Sequence, residues 1–518
     1  MKKISIYLIM FIALLVSIYY GAQKSGFHED EYYTYFSTNR SLGLYQPDRE
    51  WQDKQTILDE FAVKEGEGFN YGLVKLVQSW DVHPPFYYFV FHTICSFVPG
   101  VFTKWTGIIT NLIAFVISML ALYALMERLK VPFQIQLLTM AFWGLNPQTI
   151  SCNILIRMYA FLTAAVFACA YFHVRLIQDY GRYRKDMKNY MLKWILPIMA
   201  VSYVGFLIQY FYIFFFVSIG VASAYWLFFK NADLKNALVY VCGCAVSLLL
   251  AVLTYPASVR HMFGGYRGSD ASGSFFDIFN TGLRVKFFVG LLNDYVFAGG
   301  LIFIALFIAI LIVAGIFTGK KYKLLRPEVV ILTVGAVGYF LLTAKTALLV
   351  GSASNRYEMP IYGIIIMLLF WDVYYTVNSI GQKSYVYAFM VAMVAFLIKG
   401  LMIDGNVLFL YKEDVPKIAY AREHEDNVAV VMYNPATPHN VWRLTDELLQ
   451  YDKVFYMNEE NTEKLVDKEV TSADKIVLYV ADDDLQQEAI NNLVDSCQNI
   501  SGKSFVSDEE MWVTYELD

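Results

Sequence analysis

Three consecutive carboxylates, Glu29, Asp30 and Glu31 in "GFHEDEYYTYFSTNR", directly follow an apolar segment long enough to cross a membrane. A carboxylate near hydrocarbon is expensive, so its presence there asks for a use. Two readings compete. One is a solvated helix start whose acids complement the helix dipole. The other notes the flanking Tyr32, Tyr33 and Tyr35, a residue type that marks membrane interfaces, and takes a carboxylate held there as a general base. At the far end of the same loop, "WDVHPPFYY" places Asp81 and His83 before two prolines, which suit a helix's first turn because a missing N–H costs nothing there. Asp81 and His83 are then expected at the mouth of that helix, facing the first-loop carboxylates.

Arginines supply the complementary charge. Arg157 lies in "NILIRMYAF" and Arg356 in "GSASNRYEMP", each at the edge of an apolar segment. Taken singly, each is explained as an anchor that snorkels its charge to water. As a pair on the face that carries the acids, they suit bidentate binding of a phosphate. The stretch "YPASVRHMFGGYRGSDASGS" adds Arg260, His261 and Arg267 as donors among glycines, a composition fit for a flexible gate over a membrane site.

The elements that must position these groups are membrane helices. Of 518 residues, 57% are hydrophobic and 17% charged, against about a quarter charged in soluble globular chains. About eleven apolar segments are expected to span, near residues 4–20, 105–126, 134–150, 156–177, 190–207, 210–229, 236–256, 299–318, 329–350, 358–377 and 385–403. The first begins with Met1, Lys2 and Lys3 and is read as a retained helix rather than a signal peptide, since no A-x-A-like site follows. "PPFYYFVFHTICSFVPG" is short for a span. If it does not cross, the basic loops Met126 to Lys130, His173 to Lys193, Lys230 to Asn236 and Gly319 to Glu328 all fall on the cytoplasmic side with Met1. If it crosses, all four are exterior. The first choice obeys the positive-inside rule, so this segment is read as an exterior juxtamembrane helix. The candidate chemistry then converges on the exterior face.

Beyond about Asp404 the apolar character collapses. "NVAVVMYN", "KVFYMN", "KIVLYVA" and "MWVTYEL" read as strands, and "WRLTDELLQ" and "LQQEAINNLVDSC" as helices. The expected organisation is a transmembrane domain over 1–404, with exterior loops at 21–104 and 255–300, and an exterior α/β domain over 405–518. "ADDDLQQE" is read as a capped turn before a helix rather than a cation site. The six cysteines lack metal-ligand spacing and read as packing residues; no basic tract points to nucleic acid, and no Gly-rich phosphate loop occurs.

The stretches "HEDEYYTYFSTN", "DVHPPFYYFVFHTICSFVPG", "IRMYAFLT", "YVGFLIQYFYIFF", "RHMFGGYRGSDA" and "SNRYEMPIY" resemble, in order, the bacterial membrane glycosyltransferases of family 39, of the class C fold shared with protein O-mannosyltransferases and aminoarabinose transferases. The resemblance implies an α-helical polytopic membrane protein that moves a hexosyl or pentosyl group, with inversion, from a polyprenyl-phosphate sugar to an exterior acceptor such as a glycan, protein or lipid. It implies Asp30 as general base with Glu31 beside it. Asp81, His83, Arg157, Tyr159, Gln209, Arg267, Arg356 and Tyr357 would contact substrate. Gln209 stands where the family's "THYYF"-like motif has histidine, and the acidic tail is not shared across the class. No cofactor or required metal is expected, since only the acidic cluster offers ligands. A site facing outward agrees with a lipid-borne donor, because nucleotide sugars are not normally supplied there.

Two other classes compete with this reading. A transporter or lipid flippase predicts ionisable groups near mid-membrane and broken helices in paired halves, whereas these candidates lie at the ends of spans. A surface binder acting through its tail does not need so many spans.

Overall fold

The computed structural model describes residues 2–40, 46–317, 326–380, 384–464, 467–509 and 511–518. Most of the loop read as cytoplasmic from Gly319 to Glu328 lies outside the described residues. Among the described residues nine helices are long and apolar enough to cross a membrane: Lys2–Gln23, Lys104–Leu129, Tyr159–Gln178, Met187–Ile208, Tyr212–Lys230, Leu234–Thr254, Pro327–Thr346, Met359–Asn378 and Ser384–Met402. Counted as one broken span, the pair Ile278–Val296 and Leu301–Val313, bent by 98°, brings the number to ten. This is a multi-pass membrane protein.

The difference from eleven lies at 134–150. That segment breaks into Phe133–Gly144 and Pro147–Ile154. Pro147 disfavours helical geometry at Asn146, which is extended and caps the second helix by accepting from Gln148 N at 3.0 Å. Twelve residues at about 1.5 Å each fall well short of a hydrocarbon core of about 30 Å. The Phe86–Ser96 helix, at 11 residues, is also too short to cross, as the reading of "PPFYYFVFHTICSFVPG" required.

The chain forms two compact units. The first comprises Met1–Ala22, Lys75–Val90 and Trp105–Leu408. Its helices pack by close approach. In one pair, Gly338 of Pro327–Thr346 sits where any side chain would strike Ser218 of Tyr212–Tyr225, so the two backbones lie close together.

The second unit comprises Gln23–Val74, Phe91–Lys104 and Phe409–Asp518. Its centre is a six-stranded sheet, β1 Glu50–Asp53, β2 Val428–Tyr433, β3 Lys453–Asn458, β4 Ile476–Ala481, β5 Lys503–Glu509 and β6 Trp512–Leu517, in the order β1-β3-β2-β4-β6-β5. Strands β3, β2 and β4 run parallel, and the others are antiparallel to their neighbours. Both faces of the parallel strands are buried, which explains their near-continuous apolar sequences. Val430, Met432 and Leu478 pack with Ile490 and Leu493 of Gln486–Ser496 on one face. Ala429, Val431 and Tyr479 pack with Ala421 and Leu448 on the other. The four expected strands are present. Two more join them, the polar β5 and, from the first loop, β1.

Candidate functional site

In the first unit, three of the sequence candidates form one hydrogen-bonded chain. Asp81 Oδ2 lies 2.9 Å from His83 Nδ1, and His83 Nε2 lies 3.0 Å from Arg157 Nη2. A guanidinium only donates, so Nε2 must be the bare nitrogen and Nδ1 must carry the proton it gives to Asp81. His83 is thus a neutral imidazole with both nitrogens engaged, a group that orients Arg157 rather than a base. Burial by itself would raise the Asp81 pKa; the hydrogen bond from His83 and the charge of Arg157 hold it below the ordinary carboxylate value. Arg157 also donates to Tyr88 Oη at 3.4 Å, and Tyr255 Oη donates to the His83 carbonyl at 3.4 Å.

Arg157 is 3% exposed and Arg356 5%, so neither is the snorkelling anchor that either alone would suggest. Local backbone explains their placement. Pro147–Ile154 ends before Arg157, which sits in the turn that starts Tyr159–Gln178. Arg356 sits in the 3-10 turn Gly351–Tyr357 that leads into Met359–Ile380. Each arginine therefore lies just before the positive end of a helix dipole, a setting that favours an anion. Tyr159 and Tyr357 meet edge to face, with centroids 5.9 Å apart and an interplanar angle of 87°. Arg356 donates to Tyr357 Oη at 3.3 Å and covers its ring at 5.1 Å. The contact between Tyr159 and Tyr357 thus joins the two segments that carry Arg157 and Arg356.

The remaining candidates differ. Gln209 is buried and its Oε1 accepts from Tyr210 N at 2.6 Å, turning the side chain back on its own loop. The glycine-rich stretch expected as a flexible loop is instead two helices, Ala257–Phe263 and Tyr266–Phe276, with Arg267 exposed on the second. Arg260 and His261 both donate to the Ser79 carbonyl, two residues before Asp81, and Tyr210 Oη donates to His261 Nδ1 at 3.0 Å. Burial holds the His261 pKa below its ordinary value, consistent with this neutral form.

Asp30 and Glu31 belong to the second unit. The Glu29–Asn39 helix opens with a reciprocal cap: Asp30 N donates to His28 Nδ1 at 3.0 Å, and His28 N donates to Glu31 Oε2 at 2.6 Å. Glu31 also accepts from Lys24 Nζ at 2.8 Å, and both side chains are wholly buried. Glu29 is exposed, and the Asp30 side chain is 25% exposed. Of the three carboxylates Glu31 anchors the helix, Glu29 faces solvent, and Asp30 is partly sheltered.

Sequence reading missed Lys24, Tyr88 and Glu358. A lone lysine after a span reads as a membrane-end anchor, and Tyr88 was one aromatic among many. Glu358 directly follows Tyr357 and is fully buried. Among the described residues no group of three or more His, Cys, Asp or Glu side chains is placed to hold a metal ion. Asp483 of "ADDDLQQE" accepts from Leu485 N at 2.9 Å and from Asn434 Nδ2 at 2.8 Å, forming the turn before Gln486–Ser496.

No family model matches the chain, and no curated protein matches it. Among solved structures it is similar to ArnT from Cupriavidus metallidurans bound to undecaprenyl phosphate, with 11% identity and a TM-score of 0.51 over 98% of this chain and 97% of that one. It is also similar to ArnT from the same organism in the apo state, with 12% identity and a TM-score of 0.44 over 93% and 96%. The first likeness shows a shared, class C-like fold across nearly the full length of both chains. The resemblance to family 39 rests on the sequence motifs alone.

Proposed function

We propose that the chain is a membrane glycosyltransferase that moves a sugar from a polyprenyl-phosphate donor to an acceptor hydroxyl on the exterior face, with inversion. In this reading the amino terminus is cytoplasmic and the sheet domain exterior, in accord with the charges of the short loops. Asp30 takes the proton of the acceptor hydroxyl as its oxygen attacks the anomeric carbon. The bond from that carbon to the phosphate oxygen breaks, and the electron pair leaves with the lipid phosphate. Arg157 and Arg356 stabilise the charge that develops there; a preorganised donor of this kind contributes about 3 to 4 kcal/mol. Asp81 and His83 act through Arg157 by fixing its geometry.

The observation that carries the reading is Arg157, buried before a helix N-terminus and held by a histidine whose tautomer is set by Asp81. A guanidinium locked this way is preorganised for an oxyanion. The likeness to ArnT supports the choice of ligand class, since undecaprenyl phosphate is what that protein holds in its structure.

Equilibrium binding of undecaprenyl phosphate to the purified protein tests this. The wild type is expected to bind, and Arg157→Gln to bind about 10- to 100-fold more weakly, as the loss of a charge-assisted contact implies. Equal affinity in the two proteins would remove Arg157 from the phosphate site.

A further inference from the structure

Asp30 lies in a helix of only 11 residues, too short to be stable alone. What fixes it comes from the far end of the sequence. Trp442, 7% exposed in the 3-10 segment Pro438–Leu444, meets Tyr33 edge to face at 5.0 Å and Phe36 at 4.7 Å. Tyr33 and Phe36 are three residues apart and share a helix face, and Asp30 is one turn before Tyr33 on that side. Phe61 completes the contact at 5.9 Å from Trp442.

The helix's entry is held from the same region. Ser25 N donates to the Leu410 carbonyl at 2.7 Å, and Lys24 Nζ, already bound to Glu31, donates to the Phe409 carbonyl at 2.7 Å. Tyr411 lies between two cations, with Lys24 5.3 Å and Arg443 4.9 Å from its ring centre. Arg443 in turn makes a bidentate pair with Asp414 at 2.7 and 2.8 Å. Gly26 passes so close to that carboxylate that a methyl group in its place would collide with Asp414. Phe409 and Tyr411 both have positive φ, 67° and 52°. Non-glycine residues adopt that geometry only where their surroundings impose it. The strap from Phe409 to Tyr411 is bent to fit Lys24, and Trp442 next to Arg443 packs against the helix body.

We propose that the tail domain is a positioning element of the active centre, with Trp442 and the Phe409–Tyr411 strap holding the Glu29–Asn39 helix so that the Asp30 carboxylate is fixed for proton transfer. This rests on the reading of Asp30 as base. Trp442 is a positioning residue: it acts through Tyr33 and Phe36 and touches no reactant.

The test uses the full-length protein in proteoliposomes, with polyprenyl-phosphate sugars as donors and hydrogen exchange read over residues 29–39. In Trp442→Ala, exchange in that helix is expected to rise at least about tenfold and kcat to fall roughly 10- to 100-fold, with donor KM changed less than about threefold, because misplacement of a reacting group costs rate rather than binding. Trp442→Phe, which keeps a ring, should restore both. If Trp442→Ala opens β2 and β4 as well, Trp442→Leu gives the same readouts with the apolar volume kept. Unchanged exchange over 29–39, or raised exchange with wild-type kcat, would overturn the proposal. Asp30→Asn run in parallel separates the two claims: full activity there sinks the base assignment, whereas a protected helix in Trp442→Ala sinks the positioning role.

Discussion

Replacing His83 with leucine removes the nitrogen that accepts from Arg157 Nη2 at 3.0 Å while leaving the arginine in place. A hydrogen bond to a charged group is worth about 1.5 to 3 kcal/mol, and about 1.4 kcal/mol is tenfold in rate, so kcat/KM should fall about 10- to 150-fold if Arg157 stabilises the departing phosphate. Asp81 touches the same arginine through His83, 2.9 Å away. Asp81→Asn still offers an oxygen to Nδ1–H, lacks the charge, and should lose less, about 3- to 10-fold. Once His83 is gone the aspartate has nothing to orient, so Asp81→Asn in the His83→Leu background should cost nothing further. The assay is the initial rate of label transfer from the best polyprenyl-phosphate sugar in proteoliposomes, with the four proteins forming a double-mutant cycle. A His83→Leu enzyme within about twofold of wild type, or losses that multiply across the cycle, would refute the chain as the device that holds Arg157.

Further outcomes follow from the same geometry. Arg356→Lys keeps the charge but loses the planar fork, and kcat/KM should fall about 100-fold, whereas Tyr159→Phe keeps the ring that meets Tyr357 and should stay within about threefold; steady-state kinetics on both variants checks this. Glu31→Gln strands the buried Lys24 ammonium and should destabilise the second unit by about 3 to 5 kcal/mol, while adding Lys24→Met should recover part of the loss, both read by thermal unfolding. Burial raises the pKa of Asp446 to about 6 and of Glu447 to about 8, with neighbouring acids adding to the shift. Both bind their protons more tightly folded than unfolded, so the penalty is absent below about pH 4, grows as pH rises, and is complete above about pH 8, on the order of 3 kcal/mol or more. Hydrogen exchange of β2 and β4 in the full-length protein, corrected for intrinsic rates, should therefore show less protection at pH 8.5 than at pH 5.

The strands β2, β3, β4 and β6 were legible because their apolar runs, bounded by polar turns, have one structural solution. Edge strands do not announce themselves in the same way. Lys503–Glu509 is polar and largely exposed, and Glu50–Asp53 gains its strand character only by pairing with residues 453–456, some four hundred positions away. The break at Asn146–Pro147 was readable from the dipeptide, but the apolar run around it masked the signal. At the candidate site, residue types and their order along the chain nominated Asp30, Asp81, His83, Arg157 and Arg356, of which the structure joins Asp81, His83 and Arg157 in one hydrogen-bonded chain. The sequence did not distinguish the three adjacent acids. That needed the cap at His28 and the burial of Lys24, which assign Glu31 to the scaffold and leave Asp30 partly exposed. The tautomer of His83 is likewise a product of three side chains from two segments. Trp442 carried no signal, because its partners Tyr33 and Phe36 are distant in sequence and no local pattern links them.

Transfer of label from a panel of polyprenyl-phosphate sugars, comparing wild type with Asp30→Asn in proteoliposomes, tests the central claim most directly. Transfer by the wild type, with a loss of at least about 100-fold in Asp30→Asn while undecaprenyl phosphate still binds, is the predicted result. Wild-type transfer by Asp30→Asn would contradict the base assignment, and no transfer from any donor by a folded wild type would contradict the glycosyltransferase reading itself.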